Sequence, residues 1–168
     1  MMPAPGARPK PQGRGPDTGS VSGTVIGFDY GEKRVGFAVG ETATRIANPL
    51  GAIDAIANEA RWREIDRLVD EWRPVAFVVG EPHHADGSEH AIAKLAGKFA
   101  RRLAARYGLP VVMVDETLTS AVAEQDLRDS RARPKSRAQK NLQIDALAAS
   151  LILQSYLDDP GGHPHVAA

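Results

Sequence analysis

The chain has 168 residues, one domain's worth, enough to bury roughly 70% of its unfolded surface. Apolar residues make up 42% and charged residues 25%, and the formal net charge is zero, which argues against a uniformly basic polyanion binder and an acidic disordered chain. With no cysteine there is no disulfide scaffold, no thiolate metal site and no cysteine nucleophile.

Residues 1–20 hold five prolines and four glycines and almost nothing apolar. Such a stretch cannot offset its ordering entropy, so residues 1–21 are expected to be a disordered tail. It is basic but has no apolar h-region, and no run in the chain reaches the length of a membrane span. The expectation is a cytoplasmic protein that does not engage a membrane. Gly23 to Phe28 is an apolar, β-rich run, and Arg34 to Val39 is a second after a turn at Tyr30-Gly31-Glu32-Lys33. Ala47 to Ile53 reads as a third strand, placed at an edge by Pro49. Residues 55–72 carry Ile65, Leu68, Val69 and Trp72 at helical spacing. Val75 to Val79 reads as a buried parallel strand. Residues 89–107 form an amphipathic helix closed by Gly108 and Pro110, and Pro110 to Val114 is another buried strand. Residues 140–157 form a last helix, apolar on most faces. Residues 159–168 are expected to be a flexible tail, whose His163 and His165 have no fixed geometry for a metal.

The order β-β-β-α-β-α-β-α predicts an α/β domain over residues 22–158. Its sheet is mixed and five-stranded, with parallel crossovers in the second half and helices on both faces.

In such sheets ligands sit outside the carboxyl ends of the strands. Acids collect there. The first strand ends in Asp29, the strand Val75–Val79 runs into Glu81, and Pro110–Val114 runs into Asp115 and Glu116. The last helix adds Asp145 among small apolar residues, a costly place for a carboxylate without a cation or partner. Each acid has a plainer reading. Asp29 suits an Asx-turn, Glu81 a polar loop, Asp115 a helix N-cap, and Asp145 a bridge to Arg34 or Lys33. Taken together they suggest a shared hard cation, which could activate a water against a phosphodiester. Glycines beside Asp29 would leave room for a phosphate backbone.

Four segments carry a family resemblance: GTVIGFDYGEKRVGFAVGE, VVGEPHHADGSE, FARRLAARYGLPVVMVDETLTSAVAE and IDALAASLILQSYLD. In this order they resemble the YqgF family of pre-16S rRNA nucleases, also described as Holliday junction resolvase-like. The resemblance runs from about Ser22 to Asp158. It implies a ribonuclease H-like fold and a Mg²⁺- or Mn²⁺-dependent nuclease maturing the 5′ end of small-subunit rRNA. It places the catalytic and metal-binding aspartates on Asp29, Asp115 and Asp145, with Asp29 bridging two ions. It implies structured pre-rRNA, within a small-subunit precursor, as substrate; branched DNA is the alternative, and the protein would be a monomer or weak homodimer. The family's Asp-Glu-Arg motif reads Asp115-Glu116-Thr117 here, so its arginine is missing. Its Gly-Leu-Pro reads Gly80-Glu81-Pro82, so Glu81 and Glu116 are possible additional acids.

Residues 126–140 hold six basic and two acidic side chains, among them Arg131, Arg133, Lys135 and Arg137. This stretch is read as an irregular phosphate clamp, because Pro134 and Ser136 discourage regular structure; the alternative is a solvated charged loop. Lys33 and Arg34 are expected to meet a phosphate near the metals. Aromatic residues are only 5% of the chain, which disfavours a base-stacking platform. Two other classes compete. Asp-Tyr-Gly after a first strand also resembles the phosphate loop of actin-like kinases, which need two lobes. A silent nucleic-acid-binding module would not need the three aspartates.

Overall fold

The computed structural model describes residues 21–31, 33–54, 58–81, 90–115 and 136–166. Residues 1–20 of the N-terminal tail lie outside them, as do Glu116, Thr117, Arg131, Arg133 and Lys135, while Val21 packs at the edge of the core.

β1 (Thr24–Tyr30), β2 (Val35–Glu41) and β3 (Ile46–Ile53) form an antiparallel meander. Helix α1 (Asn58–Trp72) leads to β4 (Ala76–Glu81), parallel to β1; α2 (His90–Tyr107) leads to β5 (Val111–Asp115), parallel to β4. Helix α3 (Arg137–Asp158) follows. The sheet order is β3-β2-β1-β4-β5-β6.

The expected mixed α/β architecture is present, with six strands rather than five. The added strand is β6 (His165–Val166), antiparallel to β5. β5 would otherwise leave a bare edge of backbone donors and acceptors. The Met113 amide donates to the Pro164 carbonyl at 3.0 Å, and Val166 packs at the margin of the core. Two residues are too few to produce a strand pattern in sequence.

β3 is the edge strand that Pro49 predicts. Phe37 pairs with Gly51 but Ala38 pairs with Pro49, so Leu50 is the extra residue of a bulge. Gln154 of α3 secures this edge, accepting from the Ala47 amide and donating to the Arg45 carbonyl.

Strand alternation divides the core into two layers. Ile26, Phe28, Phe77, Val79, Val111 and Met113 face α1 and α2, where they meet Ile65, Leu68, Phe99 and Leu103. Val25, Ala38, Val78, Val112 and Val114 face α3, where they meet Ala149, Ile152, Leu153 and Tyr156. The Phe99 ring stands edge-on to Phe28 at 5.5 Å, a favoured aromatic geometry. Between α1 and α2, Asp66 accepts two bonds from Arg106 and one from the Tyr107 hydroxyl. These bonds lower the Asp66 pKa; burial and the hydrogen bond to Asp66 raise that of Tyr107.

Helix α3 begins at Arg137, three residues earlier than expected. Ser136 is its N-cap, its hydroxyl accepting from the Gln139 amide at 3.1 Å. Arg137 and Lys140 therefore stand on the first turn of a helix, not in an irregular loop. Among the described residues, no helix is long and apolar enough to cross a membrane.

Candidate active site

Asp29 lies one residue from the end of β1, and its cross-strand partner is Gly36. Alternation puts Asp29 on the α3 side with Val25 and Gly27. Gly36 sits against the helix itself: a Cβ there would collide with the Asp145 carbonyl oxygen and crowd its Cβ at 3.1 Å. One glycine thus brings the backbone of Asp145 beside Asp29. Gly27 does the same further along, where a Cβ would meet Leu153 Cβ at 2.8 Å. From sequence, the glycines near Asp29 are expected to leave space for a phosphate. At Gly27 and Gly36 the space is taken by α3, which has to approach closely to deliver its aspartate. The missed signal was that Gly27, Gly36 and Gly40 all fall on one face of adjacent strands.

The Asp145 carboxylate has a partner. Arg34 Nε donates to Asp145 Oδ2 at 2.6 Å, with the side chains 27% and 20% exposed. The bridge considered as the plainer reading of Asp145 is therefore made. It uses Arg34, which was expected to face a phosphate. Lys33 is exposed.

The other two acids sit across the sheet. Glu81 and Asp115 are partners in the parallel β4–β5 register. Alternation assigns both to the α1/α2 side, with Val79 and with Val111 and Met113. β4 separates β5 from β1, so Asp115 starts two strand spacings, roughly 10 Å, from Asp29. Asp115 is exposed and Glu81 half-buried. Among the described residues, no three His, Asp or Glu side chains form a group that could hold a metal. The structure brings together Asp29 and Asp145 in one place and Glu81 and Asp115 in another.

Residues 23–159 match the RuvX family, described as Holliday junction resolvase. The chain belongs to the RuvX family. One RuvX relative, from Methylobacillus flagellatus, is named "Putative pre-16S rRNA nuclease"; it is 50% identical over 139 residues, 83% of this chain and 93% of the relative. Another of the same name, from Dechloromonas aromatica, is 51% identical over 138 residues, 82% of this chain and 92% of the relative. The solved structure of T. thermophilus RuvC in complex with Holliday junction substrate shares the fold. Its TM-score is 0.51 at 19% identity, covering 84% of this chain and 98% of that one. This RuvX member is a nuclease, a hydrolase of the RuvC-like, ribonuclease H fold.

Within the RuvX site, the basic residues of the expected clamp are only partly described. Arg137 and Lys140 are exposed at the start of α3, within about two turns of Asp145. His163 contacts the Ser155 carbonyl at 3.3 Å and His165 belongs to β6.

Proposed function

We propose that the chain is a divalent-metal-dependent endonuclease that matures the 5′ end of pre-16S rRNA in the cytoplasm. The observation that carries this reading is the approach of Asp145 to Asp29 across Gly36. Asp145 and Asp29, from elements far apart in sequence, are brought near one another through Gly36 at the carboxyl end of the first strand, where α/β folds bind ligands. Mg²⁺ takes one or two carboxylates and fills its remaining positions with water and phosphate oxygens, so this donor set suits it. Asp29 and Asp145 would hold the cation, while Glu81 and Asp115 form a separate acidic pair on the other side of the sheet. When bound, the cation supplies a water of lowered pKa and charge stabilisation for the leaving oxygen. The chain's own groups position the substrate. Arg34, fixed by Asp145, sets positive charge beside the acid pair, where a phosphate oxygen would meet it. The exposed Lys33, Arg137 and Lys140 add charge around the same end of the sheet. Both relatives' names support the rRNA substrate.

The family's description favours a second reading, a resolvase of branched DNA. One experiment addresses both. The full chain is incubated with a pre-16S rRNA 5′ fragment or a four-way DNA junction, with Mg²⁺, Mn²⁺ or EDTA. The rRNA reading expects cleavage of the RNA, abolished by EDTA and reduced at least 100-fold in Asp29→Asn, on the order of a lost metal-site group. Cleavage of the junction alone moves the assignment to DNA. Equal cleavage by Asp29→Asn overturns the site.

A further inference from the structure

Helix α2 carries Lys94, Lys98, Arg101, Arg102 and Arg106 and not one acid, in a chain whose total formal charge is zero. Helix α1, beside it, carries five acids and three arginines. Arg106 is committed to Asp66. The other four are exposed, and none forms an ion pair with a described residue. At 100° per residue they fall within one third of the helix circumference, opposite the buried Ala96, Ala100 and Leu103.

This face borders an open groove of about 740 Å³ that runs from Glu81, at the carboxyl end of β4, past Lys94 and Lys98 to Arg101. Leu95 and Lys98 continue it into a second cleft of about 110 Å³ between α1 and α2, flanked by Arg102, Arg61 and Tyr30. Tyr30 directly follows Asp29 in β1. The cationic path therefore starts at the candidate acid Glu81 and runs along the α1/α2 side of the sheet to Tyr30.

We infer that this face of α2 is a second nucleic-acid surface, gripping the phosphate backbone of a duplex arm that leaves the catalytic centre past Glu81. This rests on the nuclease reading and extends it. Lys94 to Arg102 spans roughly 12 Å of helix axis. Duplex nucleic acid presents a phosphate every 3.4 Å or so along each strand, so about three or four phosphates face that length. Four cations with no ion pair to a described residue match them. The scarcity of aromatic residues in the whole chain is consistent with a grip on backbone rather than bases.

The test uses a labelled RNA duplex of about 20 base pairs and the DNA duplex of the same sequence. Binding by the full chain is followed by anisotropy between roughly 50 and 200 mM salt. The variant Lys94→Gln/Lys98→Gln/Arg101→Gln/Arg102→Gln is expected to bind more weakly, with a salt slope shallower by about 3 to 4 on DNA. Arg63→Gln/Arg67→Gln, on the exposed side of α1, should keep the parental slope. Should the fourfold variant melt abnormally, Lys94→Gln and Arg101→Gln are measured singly, each expected to remove about 0.9. A response with only one duplex supports the surface and identifies its substrate. A parental slope in correctly melting α2 variants overturns the α2 surface and leaves the nuclease reading intact. An equal loss in the α1 control overturns it as well. If the parent binds neither duplex, the α2 surface falls, while cleavage of the rRNA fragment or the junction still decides the nuclease reading.

Discussion

Arg34 and Asp145, 111 residues apart in sequence, are joined by a 2.6 Å charge-assisted hydrogen bond that ties the start of β2 to α3. With both side chains about three-quarters shielded, the bond is stronger than a surface pair and weaker than a fully buried one. A double-mutant cycle of Arg34→Gln and Asp145→Asn in urea should give a coupling of about 1 kcal/mol. Zero coupling would show that the pair does not hold α3 in place.

Gly36→Ala tests the approach that creates the site. The new methyl meets the Asp145 carbonyl, backbone that cannot swing aside. Forcing it in should cost about 1–3 kcal/mol and displace Asp145 from Asp29. Gly51→Ala, whose methyl would touch only the Phe37 ring at 3.3 Å, should be much milder by thermal unfolding. Equal effects would contradict the close approach of α3.

Asp66 links stability to pH. Its folded pKa lies below 3.8 because Arg106 and Tyr107 donate to it. A depressed carboxylate contributes stability above its unfolded pKa of about 3.9 and loses it as pH falls through the folded value. Asp66→Asn should therefore melt below the parent at pH 7, and the gap should close in the acid range below about pH 4. A gap that persists or widens there would contradict the assignment.

β6 is expected to protect one identifiable amide. Deleting residues 160–168 removes the Pro164 carbonyl that accepts from Met113. Hydrogen exchange at Met113 should accelerate strongly, while Val78, in the central β4, stays protected. Unchanged exchange at Met113 would show that the six-stranded sheet does not persist in solution.

The parallel core was legible because buried strands such as Ala76–Val79 are continuous apolar runs between helical periods. The edge position of β3 was legible because Pro49 cannot donate to a ladder. The start of α3 was missed because Ser136 was weighed as a breaker when it acts as a cap. β6 was missed because its residues become a strand only against the exposed edge of β5. The charge on α2 is visible in the sequence, but the helical period of its apolar residues marks only the core face.

The sequence alone determined the alternation of elements, the family and the presence of acids at strand ends, since these depend on local pattern and motif order. The tertiary structure decided which acids meet. Strand alternation set Asp29 and Asp115 on opposite sides of the sheet, and glycine at position 36 admitted α3 to Asp29. It also decided that Arg34 pairs with Asp145. Such choices depend on which face a side chain takes and how close two backbones can come. Neither is fixed until the chain is packed.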